Sequence, residues 1–115
     1  MVLLEQGLNI FRDEIHDAII DGQLGSDGTE VTEADVGLGT PISGTTKTLI
    51  KTKFNKGIKL SYSTSAGDGD GSSAREWVAL NGVGVAVLRV SNPQIDIGPS
   101  TQIDIDSQII ILQQL

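Results

Sequence analysis

The chain has 115 residues, no cysteine and a formal net charge of −7. This length predicts one domain, residues 1–115, with a single hydrophobic core. The absence of cysteine excludes disulfides and thiolate metal sites, and the acidic balance disfavours nucleic acid, whose phosphates would repel it. The longest apolar run is far too short for a membrane span. No signal peptide is evident, so we expect synthesis in a cytoplasm.

The charge is distributed unevenly. Residues 36–67 contain five lysines and no Asp or Glu, whereas the rest of the chain carries all fifteen acidic residues. The favoured interpretation is a lysine-rich face in contact with solvent. The alternative is a basic patch that meets an acidic patch on a neighbouring subunit and sets the register of an assembly.

The first predicted element is a helix. Apolar residues recur there at helical spacing: Leu8, Phe11, Ile15 and Ile19. This pattern predicts one helix over about residues 8–20, although residues 18–24 could instead belong to a strand. Residues 25–44 are rich in Gly and turn-forming residues and predict a long loop.

The rest of the chain predicts short strands separated by turns, which indicates an all-β domain. Residues 46–54 alternate, and the next strand follows the turn at residues 55–57. A hairpin is expected between residues 74–80 and 83–90, because Asn-Gly favours a two-residue turn between them. The predicted core is Ile50, Leu60, Val78, Leu80, Val85 and the isoleucines of the last strands.

The hairpin register predicts one ion pair and places Val78 opposite Val85. Glu76 then lies opposite Val87, and Arg89 lies diagonal to Glu76 on the same face. We interpret this couple as a structural, half-buried ion pair and not as a catalytic one.

The last two strands are predicted to pair with each other. Pro93 would end the preceding strand, and residues 94–98 would return antiparallel to the C-terminal one. That pairing brings Asp96 close to Asp104, where solvent, a cation or lysines from a neighbour would offset the repulsion.

Residues 68–72 resemble the start of a calcium loop. Asp68 and Asp70 occupy alternate positions, but the twelfth position, which needs a bidentate Glu, is Ala79. A solvated turn is therefore the favoured interpretation, with Asp68 and Asp70 as weak calcium candidates. No nucleophile and base are suitably spaced, so we expect no catalytic site and no cofactor.

The C-terminal segment predicts an intermolecular contact. Ile103 and Ile105 alternate with Asp104 and Asp106, as in a half-buried strand, and four consecutive apolar residues then follow. A strand that is apolar on both faces needs a cover on both, and another subunit could supply the second cover. The predicted contact residues are Leu3, Leu4, Phe11, Ile109, Ile110, Ile111 and Leu112.

Several short motifs together resemble a known class of proteins. They are Leu24-Gly25-Ser26-Asp27-Gly28-Thr29, Ala34-Asp35-Val36-Gly37-Leu38-Gly39-Thr40, Ala74-Arg75-Glu76-Trp77-Val78-Ala79-Leu80 and Gly84-Val85-Ala86-Val87-Leu88-Arg89. With the preceding helix and the closing Ile-Asp-Ile alternation, their order resembles small tail-associated structural proteins of tailed bacterial and archaeal viruses. The resemblance implies an antiparallel β-sandwich with an N-terminal helix and a non-enzymatic role in the virion. It carries over no binding residue.

The sequence thus leads to two hypotheses about function. The first is a homo-oligomeric virion protein in a tail fibre, tail tip or collar, or in a projecting head or neck element. Its partners would be copies of itself and other virion proteins. The alternative is a host-receptor or carbohydrate-binding module that uses the loops at residues 22–44 and 67–73.

Overall fold

The computed structural model describes residues 2–30, 32, 34 and 39–112. Its elements are α1 (Glu5–Ala18), β1 (Ile19–Gly25), β2 (Lys47–Thr48), β3 (Ile50–Phe54), β4 (Gly57–Ser63), β5 (Ser73–Asn81), β6 (Ala86–Asp96) and β7 (Asp104–Ile110). The described chain is mostly β, with two antiparallel sheets and one N-terminal helix. The predicted fold class, an antiparallel β-sandwich with an N-terminal helix, is confirmed. Residues 35–38 of the second motif lie outside the described residues.

A short stretch of chain, from β2 to β3, connects the two sheets. Sheet A has the strand order β2-β1-β5-β6, and sheet B has the order β3-β4-β7. Leu49 separates β2 from β3, and its N–H donates to the Ile20 carbonyl at 3.0 Å. The chain therefore passes from sheet A to sheet B at Leu49, and the sandwich is joined along this side.

The helix begins earlier and ends earlier than its apolar spacing predicts. α1 ends at Ala18, and Ile19 already opens β1, so the alternative strand assignment is correct from there onward. Leu8 is buried and Ile15 packs against the core. Ile19 is fully buried too, but as a strand residue, because its β-branched side chain suits the pleated sheet.

The core lies between the sheets and contains the tyrosine and the tryptophan of the chain. The rings of Tyr62 and Trp77 stack with their centroids 6.4 Å apart. The other buried apolar residues of this cluster are Ile19, Leu24, Ile42, Leu49, Ile58, Leu60, Ala74, Ala79, Ile97 and Ile103. Gly22 is required beside Tyr62, because a Cβ there would lie 2.6 Å from the tyrosine ring.

Two predicted core residues are exposed, so that part of the prediction is wrong. The crossing between sheets turns Leu49 inward and leaves Ile50 on the outer face of sheet B. Val85 is exposed because it lies in the turn before β6. Val78 is buried, but on the face of β5 that points away from the core cluster, and Leu80 is half-buried.

The β5–β6 hairpin exists, but its predicted register is wrong. Val78 pairs with Arg89, and Glu76 pairs with Ser91. The turn is wider than two residues because the Asn81 side chain organises it: Oδ1 accepts the N–H groups of Val83 and Val85 at 3.0 and 2.9 Å. Glycine is required within this turn, at Gly84, where φ is 84°.

The predicted pairing of the last two strands is also wrong. β6 continues through Pro93 to Asp96, because it is an edge strand and an irregularity opposite Ala74 and Glu76 accommodates the proline. β7 pairs with β4, so Asp96 and Asp104 lie in different sheets. Asp96 accepts hydrogen bonds from Gln94 and Ser73, which lower its pKa.

Candidate functional site

One end of the molecule brings together the two segments that the sequence predicted as contact surfaces. At the β3–β4 turn, the Lys56 N–H donates to Asn9 Oδ1 of α1 at 2.7 Å. The Lys56 carbonyl in turn accepts the N–H of Ile111, just after β7, at 2.8 Å. Lys56 has a positive φ of 59°, as a tight hairpin turn requires. We call this region, with the N-terminal half of α1 and the end of β7, the helix end.

Polar contacts along one flank of α1 attach the helix to β3. Arg12 Nη1 donates to the Phe54 carbonyl at 2.9 Å, and Lys53 pairs with Asp13 at 3.3 Å. Arg12 also pairs with Asp13, and these cations lower the pKa of the Asp13 carboxyl. The hairpin therefore uses the polar flank of the helix.

The other flank of α1 leaves apolar side chains in solvent. Leu4 is 70% exposed and Phe11 is 52% exposed, although helical geometry places both near the buried Leu8. Leu3 is also exposed. These three residues are among the predicted contact residues, and all three are exposed in the single chain.

The outer face of sheet B carries a second apolar group at the same end. Phe54, Gly57 and Ile110 lie in one row across β3, β4 and β7. The Phe54 ring covers Gly57, so that a Cβ on Gly57 would collide with it. Ile110 is 56% exposed, and Leu112 just beyond β7 is 80% exposed.

Two of the predicted contact residues are partly buried within this chain. Ile109 faces Ile58 across the β4–β7 ladder and packs against the core cluster. Ile111 is half-buried, and its N–H is used by Lys56. The strand continues to alternate through the apolar run, and this alternation turns both side chains away from the exposed face.

The predicted Glu76–Arg89 ion pair is present and is more deeply buried than expected. Arg89 donates to Glu76 Oε2 through both Nε and Nη2, and the two side chains are 5% and 0% exposed. The other carboxylate oxygen accepts the Gly39 N–H at 2.9 Å. Arg89 also donates to the carbonyls of Asp27 and Thr29. The Glu76–Arg89 pair therefore binds the loop that leaves β1 at Gly25 and returns at Pro41.

Most of the lysine-rich segment acts within the chain. Lys51 Nζ donates to the carbonyls of His16 and Ile19 at 2.7 and 2.5 Å, which satisfies the C-terminal end of α1. Lys53 pairs with Asp13, and Lys47 pairs with Asp68 at 2.8 Å. These three lysines form neither a purely solvated face nor a free basic patch. No pattern in the sequence indicates that Lys51 faces inward.

The two calcium candidates have different surroundings. Lys47 and the Ser65 N–H lower the pKa of Asp68, and its carboxylate is already neutralised by the lysine. Asp70 is exposed in the same turn. Across residues 2–30, 32, 34 and 39–112, no group of three or more His, Asp or Glu side chains could hold a metal ion.

A shallow polar groove lies beside the loop after β1. It is open to solvent, has a volume of about 470 Å³, and is lined by Asp27, Gly28, Thr29, Arg75, Asn92 and Gln94. Arg75 donates to Gln94 at 2.9 Å across it. The groove is adjacent to one of the two loops of the predicted binding module, but the loop at residues 67–73 does not line it.

No protein-family model matches the chain, and neither a curated protein nor a solved structure shows significant similarity to it. No helix within the described residues is both long and apolar enough to cross a membrane.

Proposed function

We propose that this protein is a non-enzymatic structural component of a tailed-virus particle and assembles as a homo-oligomer. It would lie in the tail, as part of a fibre, tip or collar, or project from the head or neck. It would be made in the host cytoplasm and then incorporated into the virion. Its partners would be copies of itself and other virion proteins.

The observation that carries this proposal is the apolar surface of the helix end. Leu4 and Phe11 at α1, and Ile110 and Leu112 at the end of β7, remain exposed while the chain fills its core with other residues. Exposed apolar clusters of this kind mark surfaces that other molecules cover. The motif order supports the viral assignment, because it resembles that of small tail-associated structural proteins.

Light scattering coupled to size-exclusion chromatography tests the self-assembly of the full chain. We expect an oligomer whose population falls with dilution, and Phe11→Lys should lower that population. Val83→Lys is a control, because Val83 is also apolar and is 84% exposed but lies in the β5–β6 turn. A monomer at all concentrations would overturn the proposed self-assembly.

Immunogold electron microscopy of purified particles tests the location. Antibody against this chain should label one fixed position on the tail, head or neck, and mass spectrometry should find the chain in washed particles. Its absence from the particles would overturn the virion role.

The receptor- or carbohydrate-binding alternative has one supporting observation, the groove beside Arg75 and Asn92. Asn92 lines this groove, and its buried Oδ1 has no hydrogen-bond partner among the residues that the structure describes. A glycan array distinguishes the alternative: binding that Asn92→Ala abolishes would favour this module over the purely structural role.

A further inference from the structure

β7 presents the longest regular sheet edge that the described chain leaves open. It is the last strand of sheet B, and its register with β4 is unbroken from Asp104 to Ile110. The other strands at the ends of the two sheets are protected or interrupted. β3 is bonded to α1 through Arg12 and Asp13, β2 has two residues, and β6 contains Pro93 and two register shifts. Devices of this kind prevent edge pairing, and β7 has only the charges of Asp104 and Asp106.

The hydrogen bonds of β7 show which backbone groups point outward. The Ile103 carbonyl accepts the Thr64 N–H at 2.9 Å, and the Ile111 N–H donates to Lys56. The odd-numbered residues between them therefore bond to β4, because antiparallel ladders alternate. The N–H and C=O groups of the even-numbered residues, Asp104, Asp106, Gln108 and Ile110, point away from the sheet.

We propose that this edge pairs antiparallel with β7 of a second copy, about a twofold axis at Ser107. The inference rests on the proposed homo-oligomerisation and adds a contact that is separate from the apolar surface of the helix end. The two copies of sheet B would form one continuous sheet across the axis. Each even-numbered residue would exchange backbone hydrogen bonds with an even-numbered residue of the other copy.

The side chains of β7 favour this one register. On the inner face, Ile105 of one copy lies opposite Ile109 of the other, and Ser107 lies opposite Ser107. Both isoleucines are only half-buried in the single chain, so pairing covers their remaining surface. A shift by two residues in either direction would place Ser107 against an isoleucine, which leaves both poorly matched.

Charge selects the antiparallel direction and a second copy as the partner. Parallel pairing in register would bring Asp104 and Asp106 next to their own copies, which is destabilising. In the antiparallel pairing, Asp106 lies opposite Gln108, whose amide can donate to the carboxylate, and Asp104 lies opposite Ile110. The acidic half of the edge thus meets the uncharged half. A twofold contact of this kind is closed, so it consumes both edges without forming filaments.

Disulfide trapping tests the axis directly, because the chain has no cysteine of its own. Ser107→Cys should give a covalent dimer under mild oxidation. Opposed residues of a non-hydrogen-bonded pair have Cα atoms about 4.5 Å apart, within disulfide range. Asp104→Cys is the control on the same strand, because its copy would be about 20 Å away. Equal trapping of both variants, or none of Ser107→Cys, would overturn the proposal.

Charge substitutions at Gln108 separate pairing between copies from stability within one. Gln108 lies opposite Lys59 in the same chain and would lie opposite Asp106 of the other copy. Gln108→Asp should therefore keep or raise the melting temperature of the monomer, yet weaken dimerisation by roughly tenfold, because the altered pair occurs twice. Gln108→Lys should strengthen dimerisation. Equal dimer affinities for the two variants would overturn the inference.

These results also distinguish the inference from the proposed function. An oligomer that persists while Ser107→Cys is not trapped would place the contact elsewhere and leave the structural role intact. A chain that is monomeric in light scattering would overturn the inference together with the proposed self-assembly.

Discussion

The fully buried carboxylate of Glu76 accepts the Nε–H of Arg89 at 3.1 Å, and the two side chains fix a loop that begins far away in sequence. The Arg89 guanidinium also donates to the carbonyls of Asp27 and Thr29, and Glu76 also accepts the Gly39 N–H. One ion pair thus connects β5, β6 and the loop after β1. The charges of the two partners compensate each other, and these backbone groups add hydrogen bonds to both.

Breaking this pair should be costly, whereas replacing both partners should cost less. Glu76→Ala leaves the Arg89 charge buried and should lower the free energy of unfolding by about 3–5 kcal/mol. The double variant Glu76→Leu/Arg89→Met leaves no unpaired charge in the interior. Its free energy of unfolding should therefore fall by less than the sum of the decreases in the two single variants. Urea denaturation of the four proteins measures the difference. Strict additivity would show that the two side chains do not act as a pair.

Lys51 should stabilise α1 through its C-terminal carbonyls. Lys51→Met keeps the aliphatic stem but removes the hydrogen bonds to His16 and Ile19, at an expected cost of about 2 kcal/mol. Lys59→Met is the control, because Lys59 is exposed on β4. Hydrogen exchange of the last turn of α1 should accelerate only in Lys51→Met. Equal exchange in both variants would contradict the capping role.

Where a strand stays within one sheet, the sequence correctly predicts which of its side chains face the core. Ile58, Leu60 and Tyr62 face inward as their alternation indicates, and Ile105 and Ile109 pack toward the core. It fails at Leu49, because the change of sheet there is a tertiary event that no local pattern records. Lys51 faces inward because α1 supplies acceptors for its amine, and the sequence places those acceptors more than thirty residues away.

The sequence predicts the candidate contact surface only in part. Apolar excess identified Leu4, Phe11, Ile110 and Leu112, all of which are exposed. It could not separate them from Ile109, because a continuous apolar run hides the alternation of a strand. The β5–β6 register was missed because the Asn81 side chain, and not the Asn-Gly dipeptide alone, sets the turn.

The Lys47–Asp68 pair should make stability depend on pH in the acid range. Lys47 lowers the pKa of Asp68 in the folded protein. A lowered folded pKa gives stability that is present above the unfolded value, near 3.8, and is lost as pH falls through the folded value. Asp68→Asn should therefore melt earlier than the unmodified protein above about pH 5, and the gap should close in stronger acid.

Thermal melting between neutral and strongly acid pH measures this gap. Asp70→Asn is the control in the same turn, since no ion pair to Asp70 occurs within the described residues, and it should melt like the unmodified protein throughout. A gap for Asp68→Asn that persists unchanged in strong acid would mean that the ion pair does not contribute.

Tyr62 should make stability depend on pH in the alkaline range. Burial raises its pKa well above the ordinary value of 10.0, against a smaller opposite effect of its hydrogen bond to the Thr45 carbonyl. A raised folded pKa gives stability that is complete below the unfolded value and is lost as pH rises above it. Because Tyr62 is the only tyrosine, the ultraviolet signal of tyrosinate reports this residue alone.

We expect tyrosinate to appear only in one cooperative step, together with loss of the near-ultraviolet circular dichroism of Trp77, against which Tyr62 stacks. Tyr62→Phe removes the ionisable group but leaves the Thr45 carbonyl without its donor, so it should be about 1 kcal/mol less stable at neutral pH. That deficit should shrink as pH rises past 10, since only the tyrosine form then gains from ionising in the unfolded chain. Gradual ionisation near pH 10 in a folded protein would mean that solvent reaches the hydroxyl and that the space between the sheets is not closed there.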